Sequence, residues 1–219
     1  MKKIVGVVWM LGWMVQASQS YALGIAVLGG GNYFLPRTNF TNTIQNGLLY
    51  NFGLAIDGKL KGKLYWELGA FYSRLSWGIQ NISTYEASVV QFPVLLRFRF
   101  GKLLALQAGG YASYGLGNIV QTAGTDRVTY PFNEFGQVDI SGTPVTLGLK
   151  RWDYGLLGGT RSEIWISKLF AILIDTRVYF GLNNLILNLP AATNFNTLLF
   201  QGMIGLRLGS QPSGSGGRR

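Results

Sequence analysis

Three carboxylates, Asp153, Glu163 and Asp175, lie close in sequence to Arg151, Arg161 and Arg177. Paired carboxylates are a common means of general acid and base work at a glycosidic bond, but nothing in their spacing places two of them at one substrate. The chain has no His and no Cys. Thiol nucleophiles, structural disulfides, Cys/His zinc sites and the Ser-His-Asp triad are thereby excluded. The expectation is a protein that is not an enzyme, with no catalytic residue, no metal site and no cofactor. What the charged residues do instead depends on the elements that carry them.

Composition narrows those elements. Hydrophobic residues make up 48% of the 219 residues, charged residues only 13% and aromatics 14%, with 31 glycines. A soluble domain carries about twice that charge. The formal net charge of +10 raises the question of nucleic acid, but binding would need basic residues gathered on one face. Here they are split by type. Lys59, Lys61, Lys63, Lys102 and Lys168 fall in turn-like stretches, while most arginines fall inside alternating segments. Nucleic acid is therefore excluded as a partner.

Lys2 and Lys3 precede an apolar run from Ile4 to Val15, and Ser20 and Ala22 supply small residues for cleavage. Residues 1–22 have the form of a secretory signal peptide; the run is shorter than the roughly 20 residues that span a bilayer. Removing them takes away two lysines and no acid, leaving a charge of about +8. No later stretch is long and apolar enough for a transmembrane helix. A mature chain that enters a membrane must then close into a β-barrel, since only helices and barrels satisfy every backbone group in lipid.

Period-2 alternation recurs in eight segments, near 23–33, 46–57, 62–77, 84–100, 102–115, 149–164, 168–182 and 197–208. In the seventh, Phe170, Ile172, Ile174, Val178, Phe180 and Leu182 share one face, with Asp175, Arg177 and Tyr179 on the other. The fourth sets Val90, Phe92, Val94, Leu96, Phe98 and Phe100 against Gln91, Arg97 and Arg99, and the second sets Leu48, Tyr50, Phe52, Leu54 and Ile56 against Asn51 and Asp57. Connections alternate between long and short, with both termini at the short-turn end. That is the pattern of a bacterial outer-membrane barrel, short turns in the periplasm and longer loops outside. The predicted architecture is an all-β, eight-stranded antiparallel transmembrane barrel over 23–209, followed by a disordered tail at 210–219. Aromatics are expected in two outward girdles: Trp66, Phe98, Phe100, Trp165 and Phe170 at the periplasmic end, and Tyr50, Tyr72, Tyr114, Trp152, Tyr154 and Phe180 at the external end. A soluble barrel with its apolar face inward shows the same periodicity, but its surface would need far more charge than these polar faces supply.

Glu67, Arg97, Arg99, Arg151, Asp153, Arg161, Glu163, Asp175, Arg177 and Arg207 are then expected to face the lumen as one polar network. Eight strands enclose little more than their own side chains, so these charges must pair there. A polar structural core is the plain reading; a narrow anion-preferring passage is the sharper one. The loop from Leu116 to Gly148, with Asp126, Arg127, Pro131, Glu134 and Asp139, is the expected recognition surface; the alternatives are an inert surface loop or a short hairpin extending strands five and six.

The run Tyr85 to Arg97, YEASVVQFPVLLR, followed by LLALQAGGYASYGL, and the later segments WDYGLLGGTRSEI and LIDTRVYFGLNNL resemble the outer-membrane β-barrel family that includes PorT-like proteins. The similarity covers roughly 85–115 and 150–208. It implies residence in the bacterial outer membrane, with lipid as the constant partner and other envelope or secretion proteins as further ones. A non-enzymatic scaffold with recognition loops, an accessory barrel of protein secretion and a narrow channel all fit that resemblance. The chain departs from the family in ending on GSQPSGSGGRR rather than on an aromatic residue.

The mature protein is expected to fractionate with outer membranes and to run at different mobilities on gels before and after boiling, since a closed barrel resists detergent unfolding. Recovery from the periplasm as a soluble protein of unchanged mobility contradicts the barrel.

Overall fold

The computed structural model describes residues 23–35, 37–38, 44–79, 83–101, 103–132, 137–140, 143–146, 148–187 and 195–209. The leader expected at 1–22 and the tail expected at 210–219 lie outside the described residues. Eight long strands form the wall: β1 (Gly24–Phe34), β2 (Leu48–Lys61), β3 (Leu64–Ile79), β4 (Ser83–Phe100), β5 (Leu104–Ala123), β6 (Trp152–Trp165), β7 (Phe170–Gly181) and β8 (Leu198–Leu208). Each pairs antiparallel with the next. β8 returns to β1, with Ile25 opposite Leu208 and Gly31 opposite Gly202, and this last ladder leaves no edge in the wall. No helix among the described residues is long and apolar enough to cross a membrane; the crossing is made by strands.

The alternation of residue types becomes an alternation of exposure. Along β7, Ile174 is 46% exposed while its neighbour Asp175 is fully buried. Leu48, Tyr50, Phe52, Leu54 and Ile56 of β2 point outward in the same way, with Asn51 and Asp57 turned in. The apolar residues are thus on the outside and the ions within, the reverse of a soluble barrel. Tight turns follow β2 and β4. At each, a glycine takes a left-handed conformation, Gly62 with φ 58° and Gly101 with φ 65°, which a side chain would strain.

Two girdle residues sit elsewhere than the sequence suggested. Trp165 shares the inward parity of Arg161 and Glu163, and its ring lies 5.2 Å beneath the Arg207 guanidinium. Trp66 has outward parity but is only 8% exposed. Its cross-strand partner is Gly58, and the indole lies over that glycine instead of standing in lipid. Phe98 and Phe100, packed edge to face at 4.9 Å, and Tyr114 and Trp152, with ring centroids 4.8 Å apart, do mark the two ends.

The wall is uneven in height. β1 and β8 have 11 residues each, whereas β4 has 18 and β5 has 20. About 9–11 tilted residues cross the bilayer, so β4 and β5 stand well beyond it. β5 runs past the predicted end at 115, turns at Gly124 (φ 59°) and pairs back with Asp126–Pro131. The hairpin alternative for 116–148 therefore holds for its first part. Outside lipid a strand needs no apolar stripe, so Asn118, Gln121 and Thr122 broke the pattern that marks the wall. Shorter ribbons tie the remaining external connections together: Arg37–Thr38 with Phe195–Asn196, Gly148–Leu149 with Ile186–Leu187, and Gln137–Ile140 with Thr143–Thr146.

Ile174→Arg, on the lipid face, is expected to cost about 2–4 kcal/mol of folding free energy in vesicles, while Thr125→Arg at the hairpin tip costs little. Urea unfolding followed by gel mobility measures both. Equal tolerance would mean that the faces or the solvent are misassigned.

Candidate functional site

The lumen is filled in three tiers. The tier nearest the periplasm is ionic. Asp57 enters from β2, Glu67 from β3, Arg97 and Arg99 from β4, Arg161 and Glu163 from β6, Asp175 and Arg177 from β7, and Arg207 from β8. Glu67 is its hub, contacting three arginines: Arg177 Nη2 donates to Glu67 Oε1 at 2.7 Å, Arg161 Nη1 lies 2.5 Å from Oε2, and Arg97 Nη2 donates to the same oxygen. Asp175 accepts from Arg161 Nε at 2.6 Å, from Arg177 Nε at 2.8 Å and from Gln107 Nε2 of β5 at 2.9 Å. Arg97 Nη1 reaches Glu163 Oε1 at 3.3 Å and Asp57 Oδ2 at 3.5 Å, and Glu163 also accepts from Arg99. Arg207 reaches across β1 to grip Asp57 through Nε and Nη2, the shortest contact being 2.5 Å. The planar fork of arginine suits such multidentate pairing better than a lysine ammonium would. Aromatic faces complete the packing, with Arg177 4.8 Å over Phe71 and Arg99 5.3 Å over Tyr65.

The middle tier is neutral and polar. Asn51 Nδ2 donates to Asn32 Oδ1 at 2.6 Å, and Gln91 Oε1 accepts from both Ser73 Oγ (2.9 Å) and Gln201 Nε2 (2.7 Å). Above it, toward the external end, come Phe34, Trp77, Phe132, Leu149, Leu185 and Phe195 in one packed cluster. Small residues make room for large ones throughout. A Cβ on Gly53 or Gly69 would lie about 2.6 Å or closer to the Phe71 ring.

Eight of the ten residues singled out from sequence enter the lumen in or beside these tiers as ionic partners or near them, and two lie apart. Arg151 precedes β6 at the external end, partly exposed, with its guanidinium 5.5 Å over Phe132. Asp153 faces inward, yet among the described residues its partners are the Tyr111 hydroxyl (2.8 Å), Thr197 Oγ1 (2.7 Å) and the Tyr154 backbone N–H, not an arginine. The reason is distance along the strand: Asp153 stands eight residues from Arg161, roughly 26 Å at the rise of a strand. Asp57 was left out of the predicted network although its parity with Asn51 already turned it inward. Gln91, Gln107 and Gln201 were missed as partners because amides carry no charge signal.

The arrangement can hold ions in fixed pairs across the lumen. The family model of the outer membrane protein beta-barrel domain matches residues 16–187, and the chain belongs to that family. Its place is the bacterial outer membrane. Among solved structures it is similar to Ail, the attachment invasion locus protein of Yersinia pestis, at 11% identity over 86% of this chain and 99% of that one, with a TM-score of 0.47. OprG from Pseudomonas aeruginosa matches at 12% identity over 85% of this chain and 95% of that one, with a TM-score of 0.45. No curated protein matches the chain significantly.

Glu67→Gln leaves three arginines without their shared charge and is expected to destabilise the barrel by about 3–5 kcal/mol. Arg151→Ala, outside the ionic tier, is expected to cost under about 1 kcal/mol. Denaturant titration of both refolded variants compares them; similar losses would deny Glu67 its central place.

Proposed function

We propose that this protein is a non-enzymatic scaffold of the outer membrane that presents an external β-ribbon and loops for recognition. The observation that carries the reading is the unequal wall. A lipid-spanning role alone asks for strands of about 9–11 residues, yet β5 has 20 and continues into the hairpin strand Asp126–Pro131. That extension is a rigid base for the loop residues beyond it, and loops held on a rigid base are where binding concentrates. Its exposed side chains, Val128 among them, are available to a partner.

Resemblance to PorT-like proteins supports a second reading, an accessory barrel of protein secretion. Lys59, Lys61, Lys63 and Lys168 stand at the short-turn end, which would face periplasmic partners in that case. The narrow-channel reading has less support: five arginines meet four carboxylates in the ionic tier, but these same side chains and the aromatic tier occupy the lumen.

A photo-crosslinking residue placed at Val128 or at Lys168 separates the readings in whole cells. The scaffold reading expects adducts from Val128 and none from Lys168; the secretion reading expects the opposite. In planar bilayers the purified monomer is expected to show no large, stable conductance, and small anion-selective steps abolished by Arg177→Ala would promote the channel instead.

A further inference from the structure

The external end of the lumen contains an aromatic-walled cavity that neither the ionic tier nor the proposed loop scaffold uses. Its volume is about 30 Å³, and Phe34, Trp77, Phe132 and Phe195 stand around it. Trp77 is held edge to face by Phe34 at 5.8 Å and by Phe195 at 6.4 Å. Asp153 also lines the cavity and is 6% exposed. One of its oxygens, Oδ2, accepts hydrogen bonds from Tyr111 and Thr197. The other, Oδ1, has no donor at close hydrogen-bonding geometry, the Tyr154 backbone N–H being the one further donor beside the carboxylate among the described residues.

A buried carboxylate oxygen without a donor is costly, and a group that brings both a donor and a positive charge relieves it best. The space decides which group. One water needs about 10–15 Å³ of such space, so this cavity takes roughly two or three non-hydrogen atoms. A guanidinium is too large to enter whole. A divalent metal would require several further oxygen ligands, which aromatic walls do not supply. An alkyl ammonium fits on both counts, because its N–H groups meet the carboxylate and its cationic end is favoured by aromatic faces. Lys150 and Arg151 line the same cavity just upstream of Asp153, toward the loops. They are placed to draw in an anionic group on the same ligand.

We propose that this cavity is a binding site for the ammonium end of a small primary-ammonium compound, with the nitrogen and its first carbon inside against Asp153 and any carboxylate of the ligand left at the mouth, toward Lys150 and Arg151. The cavity lies at the external end of the lumen, beyond the ionic tier, so the proposed ligand comes from outside the cell.

The test is a titration of the ¹⁵N-labelled barrel in detergent micelles, read at the Trp77 indole N–H and the Thr197 amide, with methylammonium chloride, glycine, sodium acetate and sodium chloride as probes. Methylammonium is expected to give a saturable shift in the millimolar range, glycine a tighter one, and the two sodium salts none. Asp153→Asn keeps the side-chain size and an oxygen for Tyr111 and Thr197, and is expected to weaken binding at least about tenfold. Phe195→Leu, which spares the carboxylate, is expected to weaken it several-fold. Absence of a saturable shift with either ammonium compound, the same shifts with the sodium salts, or undiminished binding in Asp153→Asn overturns the site. Glycine binding no tighter than methylammonium overturns the part given to Lys150 and Arg151. Should Asp153→Asn not fold, the wild-type titrations and Phe195→Leu decide the matter.

Discussion

A backbone amide or carbonyl left unpaired in hydrocarbon costs several kcal/mol, so a sheet that crosses a membrane must close on itself. The ladder between β1 and β8 meets that demand here, and the remaining structure follows from it. Closure with eight strands fixes a lumen just wide enough for side chains. Whatever points inward must therefore pack against its opposite wall. Charged residues placed there have no bulk water to share, and each carboxylate must be met by arginine in nearly fixed geometry.

That requirement also accounts for the division of the lumen by depth. Five arginines and four carboxylates occupy the periplasmic half, where the tight turns bring strand ends together, and the external half is apolar and aromatic. Every carboxylate there is paired, and the fifth arginine leaves the tier one positive charge in excess. The aromatic cluster outside is capped by Gly148–Leu149, Ile186–Leu187 and Phe195–Asn196, short strands that extend the wall where it is otherwise low. It is this external half that borders Asp153, which no arginine among the described residues reaches.

Faces were legible in the sequence because the strand period is two residues and lipid tolerates few polar side chains. Ile174 and Asp175, Phe98 and Arg97, Ile56 and Asp57 each declare their side by type alone. Partners were not legible to the same degree. Parity says that Arg207 points inward, but not that it reaches over β1 to Asp57, 150 positions away in sequence. Parity also turned Arg151 inward without revealing that it lies above the ionic tier, since depth depends on register and shear. The extension of β5 escaped notice for a related reason: alternation reports a difference between two environments, and a ribbon with water on its open face offers less of one. Trp66 and Trp165 show the limit from the other side. Aromatic type suggested lipid, but a facing glycine and an overlying arginine provided better contacts.

Register is the point at which the ionic tier contributes most. A slip of one residue between two strands turns every apolar side chain into the lumen and is excluded by burial. A slip of two residues preserves both faces, so the alternation of β2, β4 or β7 does nothing to forbid it. What forbids it is the specific content of the lumen. Moving β3 by two residues against its neighbours would carry Glu67 away from Arg97, Arg161 and Arg177 and would bring the Phe71 ring off Gly53. Moving β1 would put a side chain where Gly24 now lets the Arg207 guanidinium pass, its Nη2, Cζ and Nε all within clashing distance of where a Cβ would stand. Buried ion pairs are weak contributors to net stability when compared with apolar packing. Their effect here is on the alternatives: each misregistered barrel leaves unpaired arginine inside, and the native pairing alone leaves every carboxylate of the tier bound to arginine.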